Sequence, residues 1–395
     1  MTSELPLSTM DPWQVTSFTD VYESTETAPE DGPNCEMYDF LVTVIITGGL
    51  CVFGWIGNTL SFLVMWPERK HSATSLTLLV LAVIDNLVLV FRFIMKVIPA
   101  FCRFQNMCPS VQQYVSVHVG VVGWGLNSMA QQATTWNAVI MTVIRYIYVC
   151  VPHRSKTLAN VRTTQYACAA NIFAAIIFNL PRMFERTVIY DEDGEAKSVF
   201  TQMAKKTSFS VGYKQVAFYL VFYVIPLTIL IILTSRLIIA LRKVAKKREE
   251  MTKKVQERQD ITMTLVAVVI VFIVCQLFTP ARRTIIYFVP QSQQKCPYPY
   301  HYFNELNSTA IVFNSAINFV LYCVFGKRFR KNLLNLLSCY RRVGISDTSI
   351  NNSHQPAGET STKRQELNVQ QSSANALSSI NGQKSSINGQ NSSAT

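Results

Sequence analysis

Polar residues stand inside long apolar stretches of this sequence, where a polar or charged side chain is costly. Asp85 lies within the run LAVIDNLVLV, and a carboxylate there needs a cation or a proton to offset its burial. Asn58, Thr134, Asn314 and Asn318 are uncharged polar residues at similar depths in other stretches. Such groups either mark a functional interior or bridge helices through hydrogen bonds, and for the asparagines both interpretations stay open.

Polar residues inside apolar stretches also occur in enzymes and in transporters. The sequence contains no HExxH, no GxSxG and no phosphate-binding loop, so we expect that the protein is not an enzyme. The alternative function is that of a seven-helix transporter or ion pathway, the seven helices being the apolar segments given below. Asp85 and Arg92 would then line the path of the transported ion or molecule. The sequence shows no inverted repeat and no pair of broken helices, and Asp85 is its one deep acid, which counts against a transporter.

The apolar stretches are long enough to be membrane-spanning helices. The chain has 395 residues, of which 49% are hydrophobic and 15% charged, and the apolar residues are clustered. About 20 residues of α-helix cross the hydrocarbon core of a bilayer. Seven segments reach that length, namely residues 41–66, 73–99, 111–149, 163–181, 215–235, 261–281 and 306–326. We therefore predict an all-α membrane protein built as a seven-transmembrane helix bundle.

The distribution of basic residues predicts the orientation of the chain. With the amino terminus outside, the inner segments 67–72, 145–162, 236–260 and 327–342 carry 21 Lys and Arg, against 10 in the outer segments. We expect a multi-pass protein of the plasma membrane with an extracellular amino terminus and a cytoplasmic carboxy terminus. The net charge of +12 then reflects inner loops that face anionic membrane lipids, and no nucleic-acid partner is expected.

The two ends of the chain differ in composition from the bundle. Residues 1–40 are rich in Ser, Thr, Pro and acids, and residues 341–395 in Ser, Asn, Gln and Gly, so both are expected to be disordered beside a helical domain 41–340. Cys339, among basic residues after the last span, is either palmitoylated or a free thiol. Two disulfides in any of three connectivities are open to the four outer cysteines, Cys35, Cys102, Cys108 and Cys296.

Along the helices stand four short motifs in a fixed order: Gly57-Asn58, Leu81-Ala82-Val83-Ile84-Asp85, Ile144-Arg145-Tyr146 and Asn318-Phe319-Val320-Leu321-Tyr322. In order and spacing they resemble the motifs of rhodopsin-like (class A) G-protein-coupled receptors. The segments NTLSFLVMW, TTWNAVIMTVIRYIYVC and INFVLYCVFGKRFR look more closely like invertebrate neuropeptide receptors of the FMRFamide and myomodulin type. The resemblance implies a short amphipathic eighth helix from Lys327, in addition to the seven spans.

Several positions depart from the pattern of that family. Ile144 replaces the acidic residue before Arg145, so the usual resting partner of this arginine is missing. Gln276 replaces the tryptophan of the sixth helix, and Phe319 replaces the proline of the seventh. Gly120 stands where the family has a cysteine, and the outer loop 182–214 has no cysteine to pair with it. The resemblance therefore implies a rearranged outer surface.

The family pattern also implies where the ligand and a cation bind. A short, carboxy-amidated peptide would bind an outer pocket lined by Arg92, Asn127, Gln131, Glu185, Gln276, Arg283 and Glu305. Each of these side chains could instead pair with another residue inside the bundle. Arg283 stands at a helix end, where snorkelling of its guanidinium to the membrane surface is the usual alternative. We expect a structural Na⁺ as the one metal ion, and we expect no other cofactor. Its buried site would consist of Asp85, Thr134, Asn314, Ser315 and Asn318.

Signalling partners and disulfides follow from the same resemblance. A heterotrimeric G protein would contact Arg145, Tyr146 and Tyr322, and the Ser- and Thr-rich tail would meet a receptor kinase and arrestin. Loop proximity in the family implies that Cys35 pairs with Cys296. Cys102 and Cys108 would then close a short loop.

Overall fold

The computed structural model describes residues 33–245, 253–286 and 288–350. The chain forms two compact units, Met1–Leu336 and Leu337–Thr395, and the helix bundle belongs to the first. Residues 1–32 and 351–395 lie outside the described residues, and so do most of the two segments that are predicted to be disordered.

Seven helices form the bundle. They are α1 (Cys35–Lys70), α2 (Ala73–Asn106), α3 (Pro109–Cys150), α4 (Val161–Phe184), α5 (Ser208–Lys243), α6 (Lys253–Ile285) and α7 (Pro299–Ala316, continued by Asn318–Phe325). Five of them are long and apolar enough to span a membrane by themselves, and the count reaches seven when two bent pairs are each taken as one span. The bends are 115° after α3, where Pro152–Leu158 follows, and 45° within α7. The predicted all-α, seven-transmembrane fold is confirmed.

Helix α1 begins before residue 41, where the sequence places the domain boundary. A helical segment, Pro33–Asp39, precedes the apolar run. The contacts of this segment include a disulfide between Cys35 and Cys296 and a distance of 2.8 Å between Asp39 Oδ1 and Nε2 of His301. Because both partners lie more than 250 residues away, the local apolar pattern does not predict this extension.

An eighth helix, α8 (Lys327–Ile350), follows the bundle and extends beyond the predicted boundary at residue 340. Phe329 on its first turn is buried, and its ring packs 5.5 Å from the ring of Tyr322 in α7. Leu334 and Leu337 are exposed, as expected for the apolar side of a helix that lies on a bilayer.

The bundle has apolar residues on its outside and many polar residues inside, because lipid takes the place of water around it. Large exposed apolar side chains include Ile45, Phe53, Ile56, Phe173, Ile232 and Val274. Fully buried polar side chains include Asn58, Asp85, Asn137, Asn179 and Thr77. Interior hydrogen bonds and close packing therefore hold the helices together.

Helices α1 and α7 pack closely at Gly57. A Cβ atom at this position would lie 2.7 Å from Cβ of Phe319, so any larger residue would push the two helices apart. Next to it, Asn58 Nδ2 donates a hydrogen bond to the backbone oxygen of Ser315 at 3.0 Å. In the Gly-Asn motif, Gly57 thus allows the two helices to pack closely. Asn58 bridges them through a hydrogen bond, which is one of the two interpretations that the sequence left open for the asparagines.

Helix α3 lies at the centre and is tied to three neighbours by bonds from side chains to backbone oxygens. These bonds are Asn137 Nδ2 to Thr77 (3.1 Å), Asn171 Nδ2 to Ala133 (2.9 Å) and Trp136 Nε1 to Val221 (3.1 Å). They connect α3 to α2, α4 and α5. Such bonds fix the rotation of each helix about its axis, which in turn aims the functional side chains of α3 inward.

An antiparallel hairpin lies at the end of the bundle where α1 and α3 begin, which is called the outer end here, and the opposite end is called the inner end. Strands β1 (Arg186–Tyr190) and β2 (Ala196–Phe200) pair in it, and Gly194 turns the chain with a φ of +79°. Beside the turn, Lys197 Nζ lies 2.7 Å from Asp191 Oδ2. The hydrogen bond between them lowers the pKa of Asp191 and raises the pKa of Lys197.

Hydrogen bonds hold this hairpin against the outer end of α3, where the family's usual disulfide is missing. Gln113 Nε2 donates to Glu195, and Nε2 of His118 lies 3.5 Å from the hydroxyl of Tyr190. Gly120 follows two residues after His118. The rearranged outer surface implied by the sequence thus takes the form of a hydrogen-bonded hairpin.

Two disulfides lie on the outer side, Cys35–Cys296 and Cys102–Cys108. This connectivity is the one that the family resemblance implies among the three open to the sequence. The first bond joins the start of α1 to the loop before α7, and the second closes the loop between α2 and α3. The side chain of Cys339 lies outside the described residues, so its palmitoylation stays a prediction.

Candidate functional site

Asp85 is fully buried at the centre of the bundle, and three side chains donate hydrogen bonds to it. Thr134 from α3 and Ser315 from α7 donate to Oδ1 at 3.2 and 3.1 Å. Asn318 Nδ2, also from α7, donates to Oδ2 at 2.7 Å. The structure thus brings four of the five predicted sodium-site residues together at one carboxylate.

The residues at Asp85 suit a small hard cation. Carboxylate and hydroxyl oxygens, which such cations prefer, come from Asp85, Thr134 and Ser315 within one hydrogen-bonded group. The same hydroxyls can turn their oxygen lone pairs toward a bound ion, because a hydroxyl both donates and accepts. Asn314, the fifth predicted residue, lines the cavity next to this group.

A small cavity opens on the outer side of this group, between α2, α3, α5, α6 and α7. It is lined by Val88, Gln131, Thr134, Thr135, Phe222, Tyr223, Cys275, Gln276, Thr279, Ile311, Asn314 and Ser315. Two predicted ligand residues, Gln131 and Gln276, lie here, and Gln276 Nε2 donates to the hydroxyl of Thr135 at 3.2 Å. A ligand that reached this depth would adjoin both Gln276 and the residues around Asp85.

The two carboxylates among the predicted ligand residues, Glu305 and Glu185, each have a lysine partner. Glu305 Oε1 lies 2.9 Å from Lys96 Nζ, and its Oε2 accepts a hydrogen bond from Thr43 at 3.2 Å. Glu185 Oε1 lies 2.6 Å from Lys214 Nζ. A ligand guanidinium that bound either carboxylate would therefore have to displace or share a lysine.

The predicted outer arginines contact aromatic rings. The guanidinium of Arg92 lies 5.8 Å from the ring centre of Trp124, and its Nη1 lies 3.5 Å from Oγ of Ser308. Arg283 lies 4.4 Å from the ring centre of Phe218. Arg92 is only 7% exposed, so it is held inside the bundle and does not snorkel to the surface.

Several buried polar atoms of the outer pocket have no hydrogen-bond partner among the described residues. Four of them belong to residues that the sequence assigns to the ligand pocket: Nε of Arg92, Oδ1 of Asn127, Nε2 of Gln131 and Nε of Arg283. Nε of Arg182 and Nε of Arg282, which the sequence does not assign to the pocket, have no hydrogen-bond partner there either. Buried polar atoms are usually satisfied, so such a group is typical of a ligand-binding or hydrated site.

At the inner end of the bundle, Arg145 is buried and aimed at a second cavity. Its guanidinium lies 5.8 Å from the ring centre of Tyr148, and its Nε has no hydrogen-bond partner in the described part of the chain. The cavity is lined by Arg145, Asp260 and Tyr322, among other residues from α1, α2, α6 and α8. Tyr146, the third predicted contact residue, packs beside Leu237 and Val266 of α5 and α6.

Ion pairs at the inner rim tie α8 to the bundle. Lys327 Nζ lies 2.9 Å from Oδ2 of Asp260 in α6, so this carboxylate is the partner of Lys327. Glu68, in the last turn of α1, accepts hydrogen bonds from Arg328 at 3.0 Å and from Asn332 at 2.9 Å. Ile144 stands where the family has an acid, and among the described ion pairs of the inner rim it is Lys327 that pairs with α6.

The sequence did not identify the partners of these charges. Lys96, Lys214 and Lys327 each neutralise a carboxylate that is distant in sequence. One signal was available for Lys96, because it interrupts the apolar segment 73–99 of α2. No local pattern marks Lys214 or Lys327, since both stand at helix ends where lysine is common.

Comparison with known proteins agrees with this architecture. Among relatives, the chain is 23% identical over 309 residues to the FMRFamide peptide receptor frpr-18 of Caenorhabditis elegans (75% of this chain, 69% of the relative). It is 22% identical over 301 residues to the FMRFamide receptor of Drosophila melanogaster, covering 75% of this chain and 54% of that receptor. Against the human neurotensin receptor type 1, identity is 24% over 344 residues, or 78% of each chain.

A family match covers most of the bundle. Residues 46–340, about three quarters of the chain, match the family described as serpentine type 7TM GPCR chemoreceptor Srw. The match begins in α1 and ends in α8, so it includes both cavities and the residues around Asp85. The chain belongs to this family of seven-transmembrane G-protein-coupled receptors.

Proposed function

We propose that the protein is a plasma-membrane receptor for a short extracellular neuropeptide and passes its signal to a heterotrimeric G protein. The observation that carries the ligand class is the group of unpartnered buried polar atoms on Arg92, Asn127, Gln131 and Arg283. A peptide supplies carbonyl, amide and charged groups that satisfy such atoms, whereas a lipid supplies few. Relatives named as FMRFamide and neurotensin receptors support a peptide ligand, and the FMRFamide resemblance supports a carboxy-amidated one.

The proposed mechanism joins the two cavities through Asp85. A peptide that enters among α2, α3, α6 and α7 changes the packing around Gln276 and Asn314, next to the residues that bond to Asp85. We place a sodium ion at Asp85 in the resting receptor, where it opposes this change. A ligand shifts the two-state equilibrium by as much as its affinities for the two states differ.

The proposed orientation follows from the positive-inside pattern. The amino terminus and the hairpin face the outside, and Arg145, Tyr146 and Tyr322 face the cytoplasm, where the G protein binds. Membrane lipids surround the exposed apolar side chains, and the basic inner loops contact their anionic headgroups. A receptor kinase and arrestin act on the Ser- and Thr-rich tail.

The test is a screen of amidated and non-amidated short peptides in cells that express the receptor with a surface tag and report calcium and cyclic AMP. We expect at least one peptide family to give a saturable response that mock-transfected cells lack. A response to monoamines or lipids, with every peptide inactive at full surface expression, would overturn the peptide assignment.

The ion pair between Asp260 and Lys327 gives a prediction about basal signalling. Outward movement of α6 on activation has to break this pair, because it joins α6 to α8. We expect Asp260→Asn to raise ligand-free signalling by up to about fivefold, since an exposed ion pair contributes roughly 0.2–1 kcal/mol. Basal calcium or cyclic AMP, normalised to surface expression, measures the change.

Glu68→Gln is the matched control for Asp260→Asn. It removes a carboxylate that pairs with Arg328 of α8 and does not involve α6, so basal signalling should stay at the wild-type level. The exchanged pair, Asp260→Lys with Lys327→Asp, should restore low basal signalling. Wild-type basal signalling in Asp260→Asn would show that the pair does not restrain α6.

A further inference from the structure

The outer half of the bundle carries more positive than negative charge. Two buried carboxylates, Glu185 and Glu305, face six basic side chains there: Arg92, Lys96, Arg182, Lys214, Arg282 and Arg283. Lys96 is bonded to Glu305, while Lys214 and Arg182 lie 2.6 and 3.8 Å from Glu185. Among the described residues, these pairs use both carboxylates.

Three arginines are left without a carboxylate within 4 Å in the described ranges. Nε of Arg92, Arg282 and Arg283 has no hydrogen-bond partner there. Their other contacts are with neutral groups: Arg92 with Ser308 at 3.5 Å, and Arg282 with the Tyr300 hydroxyl at 3.4 Å. Hydroxyl groups do not neutralise a guanidinium. Glu305 acts electrostatically on Arg92, but within the described ranges its ion pair is with Lys96.

Arg282 and Arg283 are neighbours in the last turn of α6, and together with Arg92 and Arg182 they are called the arginine cluster. Arg283 and Arg182 lie 4.4 and 4.8 Å from the centre of the same ring, Phe218, so their Cζ atoms are within about 9 Å of each other, the sum of the two distances. Arg282 acts electrostatically on both Arg92 and Arg283. Like charges at such range repel one another strongly where water is scarce, and an anion among them removes the repulsion.

We propose that Arg92, Arg282 and Arg283 form an anion subsite that binds a carboxylate of the peptide ligand. This inference rests on the proposed peptide function and narrows the ligand class to peptides with an acidic side chain, which a carboxy-amidated peptide can carry, or to peptides with a free carboxy terminus in place of the amide. Guanidinium groups suit this role because they bind carboxylates through two parallel hydrogen bonds. Glu185 and Glu305 then serve to hold Lys214 and Lys96, and the ligand contact belongs to the arginines.

The first experiment needs no peptide. The thermal stability of purified receptor is measured with N-acetylglutamate and with N-acetylglutamine as probes at equal concentration and ionic strength. We expect the acid to raise the Tm by at least about 2 °C and the amide not to, because a ligand stabilises the state that it binds. The double variant Arg92→Gln with Arg283→Gln should lose this difference.

Arg103→Gln is the matched control, because it removes an exposed outer arginine that pairs with Asp39 outside the cluster. It should keep the wild-type difference between acid and amide. Equal shifts with the two probes in the wild type, or no shift with either, would overturn the subsite. A difference that persists in Arg92→Gln with Arg283→Gln would also overturn it.

The second experiment uses peptides that activate the receptor. Each is made with its acidic side chain as the amide (Asp→Asn or Glu→Gln) and, separately, with its carboxy terminus as acid or amide. We expect one of these neutralisations to lower potency at least about tenfold in the wild type and less than about threefold in the Arg92→Gln, Arg283→Gln receptor. The sensitive position tells a side-chain carboxylate from a terminal one.

The outcomes separate this proposal from the proposed function. Peptides that activate the receptor with equal potency as acids and amides would remove the subsite and leave the peptide receptor in place. A probe effect on the Tm with no active peptide would count against the peptide ligand and support the anion subsite.

Discussion

Replacing Arg145 by Ala is expected to abolish agonist-stimulated G-protein activation, while the receptor still reaches the cell surface. Arg145 is 7% exposed and lines the inner cavity with Asp260 and Tyr322, where family resemblance places the G-protein contact. Asp260 is paired with Lys327, so no ion pair within the described residues engages the Arg145 guanidinium. An arginine without such a pair is available to a partner protein.

The expected size of the Arg145→Ala effect follows from the loss of a desolvated charged contact, which costs about 2–5 kcal/mol. That corresponds to about a thirtyfold or larger loss of coupling, because each 1.4 kcal/mol is a factor of ten. Calcium and cyclic AMP responses, with surface expression from an amino-terminal tag, measure it. Arg154→Ala, an exposed inner arginine, should respond as the wild type does. Full signalling by Arg145→Ala would refute the assignment of the inner cavity.

The second large effect is expected at Asp85, where sodium should lower agonist affinity in the wild type and Asp85→Asn should remove that dependence. Asp85 is fully buried and accepts hydrogen bonds from Thr134, Ser315 and Asn318. These donors stabilise a carboxylate but do not cancel its charge, and a cation does. A coupling of 1–3 kcal/mol between two sites changes affinity by about fivefold or more.

Agonist affinity is measured in membranes as sodium replaces potassium at constant ionic strength. In the wild type we expect affinity to fall by about fivefold or more, whereas in Asp85→Asn it should stay level. Asp191→Asn, in the exposed hairpin, is the matched control and should keep the sodium dependence. Insensitivity of the wild type to sodium would leave Asp85 with a structural role only.

Some parts of this architecture follow from short stretches of sequence. A bilayer requires about 20 apolar residues for each helix, so the seven crossings are visible without any tertiary information. Asp85 is predictable for the same reason, since a lone carboxylate in an apolar run has few purposes. Its contact with Ser315 and Asn318 was implied by the family pattern, because the order of the motifs places α2 against α7.

Other features depend on pairs of residues that are far apart in the chain. Glu305 and Glu185 belong to the ligand pocket that the family pattern implies, but the bundle brings Lys96 to the one and Lys214 to the other. Asp260 lines the same cavity as Arg145, and the packing of α8 gives this carboxylate Lys327 as its partner. In each case the charge was visible in the sequence and its partner was not.

The sequence by itself therefore determined the number of crossings, their expected orientation and the positions of polar residues inside them, because the bilayer imposes its length and its polarity on every span separately. Only the tertiary structure decided which charges neutralise one another, how the hairpin is hydrogen-bonded to α3, and which arginines have no carboxylate partner among the described residues. Ion pairing depends on distances of a few ångströms between helices, and those distances arise from packing such as that of Gly57 against Phe319.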